Sequence, residues 1–129
     1  MTISVAVSWG ELIDKITILE IKRAHMTDPD QLANVGKEYE LLTTTRDAAL
    51  PDDVDMDNDT KALKLINETL WQIEDDIRDC EQAQDFGETF IDLARSVYRI
   101  NDRRAAIKRR INEMLGSELV EEKLYRSYD

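Results

Sequence analysis

Two long stretches of helical periodicity, separated by a tight turn, constrain the fold of this chain more than anything else in it. From about Thr60 to Gln84, Leu63, Ile66, Leu70, Ile73, Ile77 and Cys80 recur three or four residues apart. From 86 to about Leu115 the series Phe90, Leu93, Val97, Ile100, Ile107, Ile111 and Met114 does the same, broken once by Arg104. That period belongs to helices burying one face. Asp85-x-x-Glu88 is a capping-box pattern that marks the second start. Two such helices make an antiparallel hairpin about 40 Å long at 1.5 Å per residue. The third helix is expected to be N-capped by Asp59 or Asn58.

The densest mix of apolar and charged residues lies upstream, in Ser8 to Arg23. Val7 precedes a Ser8-x-x-Glu11 capping box, in which the hydroxyl accepts from the Glu11 amide and the carboxylate reaches back to the Ser8 amide. Leu12, Ile13, Ile16, Ile18, Leu19 and Ile21 point in several directions, so this helix, Trp9 to about Met26, is expected to be buried on more than one side. A further helix starts at Asp28, with Pro29 at its first position, and fades near Ala49. Its stripe is Leu32, Val35, Tyr39 and Leu42, and Gly36 in its middle weakens it unless another helix approaches closely there. Residues 2 to 8 alternate Ile3, Val5 and Val7 with small or polar side chains, which is strand periodicity. A lone strand cannot satisfy its own backbone, so this segment lies over the bundle or pairs with a second subunit. Gly116 ends the last long helix, and Ser117 is expected to cap a short final one, ELVEEKLYRSY. The reading is all-α: a single domain over residues 1–129, a helical bundle built on the 60–84 and 86–115 hairpin, with a short extended or β N-terminal segment.

With four Gly, two Pro and 42% apolar residues in 129, the chain is too rich in core formers for disorder. A net charge of −11 argues against nucleic acid and anionic membrane as partners. No apolar run approaches the roughly 18 residues that span a bilayer, and the start lacks a signal peptide's pattern, so the expected location is the cytoplasm. Cys80, the only cysteine, falls in phase with Ile73 and Ile77 and reads as a small core residue. The charge is uneven: residues 95 to 110 carry seven bases against one acid, a balance of +6. Packing beside acidic helices explains such a segment, and so does an anion site.

The acidic loop 50–59 invites a calcium reading, but a loop starting at Asp53 has Asn58 and Lys64 where an EF-hand needs glycine and glutamate. No Ser-His-Asp set, glycine-rich phosphate loop or His-Glu metal motif is present. Glu11-x-x-Asp14 and Glu118-x-x-Glu121 have the spacing of the magnesium-binding pairs of all-α nucleotide pyrophosphatases, though one lies in a cap and the other in a terminal helix. Neither a cofactor nor a metal is expected.

The polar positions beside the seams remain. Asn67, Trp71, Glu74, Arg78 and Glu81 flank one seam; Tyr98, Asn101, Ala105, Lys108 and Asn112 flank the other, with Arg104 inside it. These groups either fix the hairpin's register through paired charges or form a pocket. In the pocket reading Arg78, Arg104 and Lys108 hold an anion near Asn101, and Glu74 acts as acid or base. On the first helix the candidates for buried polar roles are Asp14, Lys15 and Glu20, with Glu20 preferred to Glu11 because the cap occupies Glu11. His25, near a helix end, is expected at the surface.

GELIDKITILEIKR, LANV, NETLWQIEDDIR, FIDLARSVYRINDRRAAIKRRIN and GSELVEEKLY, in that order, resemble DUF6165, a family of small bacterial and phage proteins of unknown function. The likeness covers nearly the whole chain apart from the acidic loop. It implies no reaction and assigns no residue a role; the occurrence of relatives near glycosyltransferase and surface-polysaccharide genes implies that setting. The expected function is a non-catalytic binding or assembly protein acting as a helical homo-oligomer, a dimer in the simplest case, that recognises itself or a protein partner. The alternative is a small α-helical enzyme or ligand binder for an anionic metabolite such as a sugar nucleotide.

Overall fold

The computed structural model describes residues 1–128. Their regular structure is four helices and no strand: α1 (Trp9–His25), α2 (Pro29–Ala49), α3 (Asp57–Gln82) and α4 (Glu88–Met114). Among the described residues no helix is long and apolar enough to cross a membrane.

α1 is the organising element, the one helix that contacts the other three. Leu12, Ile13, Ile16, Leu19 and Ile21 are all buried, as burial on more than one side requires. The Ser8 hydroxyl accepts from the Glu11 amide at 3.2 Å, but the reverse half of the capping box is not made, because the Glu11 carboxylate binds Lys108 instead. Val7 stays 43% exposed while Leu12 is buried. Lys22 and Arg23 lie in the last turn, where cations complement the helix dipole.

α2 touches α1 alone among the helices. Asp28 caps it, accepting from the amides of Asp30 and Gln31, and Pro29 opens it. Val35 is buried, and the Arg23 guanidinium lies 4.5 Å above the Tyr39 ring. A Cβ on Gly36 would meet nothing within 4 Å, so no neighbour demands glycine there. The close approach falls on Gly10, where a Cβ would lie 2.5 Å from the Lys108 carbonyl oxygen.

α3 begins at Asp57, with Met56 as N-cap and no side-chain cap, rather than behind Asp59 or Asn58. Asp55 accepts from the Asp57 amide at 2.9 Å, and Asp59 is drawn away to Arg110. The loop before it is not merely a solvated acidic strip: Met56 joins Ile13, Leu63 and Ile111 in the core, with Leu50 and Val54 packed beside them. The far end of α3 closes as a Schellman motif, Asp85 N–H to Cys80 C=O and Gln84 N–H to Glu81 C=O, with Gln84 left-handed at φ 53°. Asp85 then accepts from the Gly87 amide, so the capping box expected with Glu88 is not formed. α4 ends in a second Schellman motif, with Gly116 at φ 59° and Ser117 N–H on Asn112 C=O.

Three further expectations are corrected. Residues 1–7 form no strand and are exposed, Ile3 at 83% and Val5 at 74%, because no sheet edge exists for them to pair with. The final helix is absent: residues 117–128 are non-helical and double back beside α4, drawn by ion pairs to its basic side chains. Cys80 is half-buried rather than a core residue. No residue from Glu74 to Ile107 is buried; the buried part of α3 and α4 lies where α1 crosses them, and α2 adds Val35.

Candidate functional site

α1 carries a carboxylate into that crossing. Asp14 is 1% exposed, yet no polar atom around it lacks a partner. Asn67 of α3 donates to its Oδ1 at 2.8 Å and to the Thr17 hydroxyl at 2.9 Å. Arg104 of α4 engages both carboxylate oxygens, Nε on Oδ1 at 3.0 Å and Nη2 on Oδ2. Such side-on, two-point binding suits the planar guanidinium. Burial pushes the Asp14 carboxyl up, but hydrogen bonds from Arg104 and Asn67, with the charges of Arg104 and Lys108, outweigh it and hold the group below the usual carboxylate range.

One turn further along α4, Lys108 is the second node. Its ammonium donates to Glu11 at 2.8 Å and to Glu121 of the tail at 3.0 Å, and lies 3.7 Å from Asp14. Burial lowers its affinity for the proton, and the three carboxylates more than restore it. The same lysine holds the Glu121 carboxyl below its ordinary value. Beside it α1 starts on α4: the Gly10 amide donates to the Asn112 side chain at 2.7 Å, and the Trp9 amide reaches the Ser117 hydroxyl at 3.4 Å. With Ser8, these side chains satisfy three amides that a helix start leaves open.

Of the residues singled out from sequence, Asp14, Arg104, Lys108 and Asn101 come together, Asn101 accepting from Arg104 Nη1 at 3.5 Å. Lys15 is exposed, 3.8 Å from Glu11. Glu20 pairs with Lys64 at 2.9 Å, on the α3 side and away from the cluster. The buried acid is therefore Asp14 and not Glu20, and Glu11 belongs to the cluster rather than to the cap. Glu74 and Arg78 are exposed, at least seven residues along α3 from Asn67, or roughly 10 Å at 1.5 Å per residue. Neither pairs with Arg104 or Lys108 among the described residues. His25 is exposed, stacked on Trp71 with ring centroids 5.0 Å apart. Gly10 and Glu121 escaped the sequence reading as partners of the cluster. A glycine in the first turn of an otherwise strongly capped helix was the available signal for the former; the latter had none, because the tail's path is a tertiary property.

Chemically, the cluster is an ion network centred on a fully partnered carboxylate. A carboxylate held ionised by a bidentate arginine, with its protein donors already in place, is a weak proton acceptor at neutral pH. The fold and site define an all-helical protein whose three-helix crossing is fixed by a buried charge cluster. The chain belongs to DUF6165, a family of unknown function, whose model matches residues 3–128. No curated protein and no solved structure matches it.

Proposed function

We propose that the protein is a cytoplasmic, non-catalytic binding or assembly protein that acts as a helical homodimer. The observation that carries this reading is surface area. The chain exposes 9329 Å², whereas a compact monomer of 14.9 kDa exposes about 7,000 Å². Exposed terminal segments 1–7 and 118–128 carry part of the excess of roughly 2,300 Å², and the half-buried apolar faces of α3 and α4 add area that a second copy would cover.

In this reading α3 and α4 form an antiparallel hairpin turning near Asp85. Its support is that Asp59 with Arg110, and Asn67 with Arg104 through Asp14, are placed almost symmetrically about that residue. The outer half of the hairpin is the contact surface. Phe86 and Ile91 are 47% and 52% exposed, and Ile77, Phe90, Leu93, Val97 and Ile100 are only half-buried. Residues 74–85 carry six acids and one base, while Arg95, Arg99 and Arg103 stand exposed on α4. A two-fold pairing that lays α3 of one copy against α4 of the other matches these charges. The extended N-terminal segment lies outside this contact. The surface-polysaccharide setting rests on the family resemblance alone.

Light scattering tests the reading: the full chain should have twice the monomer mass, Ile91→Asp should have one, and removal of residues 1–7 should leave the dimer intact. A monomeric wild-type chain at tens of micromolar refutes it.

A further inference from the structure

Between α4 and the tail runs a groove of about 990 Å³, at the upper end of the roughly 300–1,000 Å³ typical of small-molecule sites. The tail forms one wall. It is pinned at one end by Glu121 on Lys108 and Glu122 on Arg109, at 3.0 and 2.7 Å. At the other, the Tyr128 hydroxyl donates to Asp102 at 2.7 Å and its ring meets Tyr98 edge-on at 5.1 Å.

The lining combines two kinds of group. Arg104, Lys123, Arg126 and Asp102 line it: Arg104 is shared with Asp14, Lys123 lies near Glu121, and Asp102 already accepts from Tyr128. Tyr98, Tyr125 and Tyr128 bring aromatic surface, and Tyr125 is 73% exposed. Arg104 binds Asp14 through Nε and Nη2, while Nη1 makes only the 3.5 Å contact with Asn101, so its fork keeps N–H donors beyond those Asp14 occupies. Arg126 has no ion pair among the described residues. Lys123 lies 5.7 Å from the centre of the Tyr125 ring and 3.6 Å from Glu121, which places a cation beside an aromatic face.

Cations with planar N–H forks recognise phosphate oxygens, and tyrosine faces stack on flat heteroaromatic rings. We propose that this groove binds a nucleoside diphosphate or a ligand of that class, its base against Tyr125 and Tyr98 and its phosphates on Arg104, Lys123 and Arg126. The overall acidity disfavours a long polyanion and favours a small ligand that a local cationic patch can hold. The inference does not rest on the proposed dimer, since the groove lies on one chain between α4 and its own tail, although Val97 lines both the groove and the proposed contact.

Calorimetric titration of the full chain with ADP, UDP, adenosine, uridine and inorganic pyrophosphate provides the test, with light scattering as a separate readout of assembly. Either nucleotide should bind at least about tenfold more tightly than its nucleoside or pyrophosphate, since each half contributes its own share of the free energy. Arg126→Ala and Tyr125→Ala, both at exposed positions, should each weaken nucleotide binding about tenfold with the helical circular dichroism unchanged. The proposal is overturned if neither nucleotide binds, if pyrophosphate binds as tightly as the nucleotides, or if both variants bind like wild type.

Discussion

Where α1 crosses α3 and α4, a carboxylate 1% exposed is held by side chains from two other helices, and Ile13, Leu63 and Ile111 pack together in the same core. From Glu74 around the turn to Ile100, the same two helices have no buried residue. Both regions carry apolar stripes and opposite charges on facing helices, and only the presence of α1 separates them. A third element turns polar side chains into a buried, fully paired network; without it, the same chemistry stays half-wet. Position within the bundle, more than residue type, decides which polar groups become structural.

Removing the central carboxylate breaks this contrast most sharply. Asp14→Ala leaves the Arg104 guanidinium and the nearly buried Lys108 ammonium short of their common partner. Losing one member of a buried pair destabilises by about 3–5 kcal/mol, to be read from urea unfolding. The pH dependence identifies the cause. The folded-state pKa of Asp14 lies below its unfolded value, so the unfolded chain binds the extra proton. The stabilisation is therefore complete above the unfolded carboxylate pKa of about 4 and falls away as pH drops through the folded value. Glu121 is lowered as well and adds to the same window. Wild type should lose stability steeply below about pH 4, and Asp14→Ala should lose less. Parallel pH profiles for the two proteins would show that the ion network does not hold the crossing.

Gly10→Ala tests the same junction through the backbone. The added methyl would meet the Lys108 carbonyl oxygen at 2.5 Å, and backbone atoms cannot rotate aside. α1 must shift along α4, straining the Gly10 amide bond to Asn112. Overpacking of this kind costs about 1–3 kcal/mol. Gly36→Ala, where nothing stands within 4 Å, should instead stabilise by a few tenths to about 1 kcal/mol through helix propensity. Opposite signs for the two substitutions in chemical denaturation would establish that α1, and not α2, is packed to backbone contact.

This asymmetry also explains what could be read from the sequence. The helices were legible because apolar period and caps are local: Ser8, Asp28 and Gly116 mark boundaries by chemistry that acts within a few residues. Asp59 and Asp85 carry the same chemistry but were misread, since one is captured by Arg110 and the other by the turn. The importance of Arg104 and Lys108 was visible from their place in and beside a seam. Their partners were not, because Asp14 and Glu121 lie 90 and 13 residues away and meet them only after packing. The tail is not a helix for a related reason: Glu121 and Glu122 pair with Lys108 and Arg109 of α4, partners that local sequence does not reveal.

The smallest expected effect is in the outer parts of α3 and α4, where Ile91→Asp asks whether that region is complete within one chain. Ile91 is 52% exposed in the first turns of α4, where an acid suits the helix dipole. Within a monomer the substitution should change stability by no more than about 0.5 kcal/mol. In a dimer that uses this face it should do more, and only through assembly: the wild-type melting temperature should rise with protein concentration and that of Ile91→Asp should not. The two curves should converge on dilution, when neither protein is paired. A gap that persists at the lowest concentration would mean that Ile91 is packed within its own chain, and the difference between the crossing and the outer parts of α3 and α4 would then be one of degree. Convergence would place the missing third element of the outer half on a second copy, doing there what α1 does at Asp14.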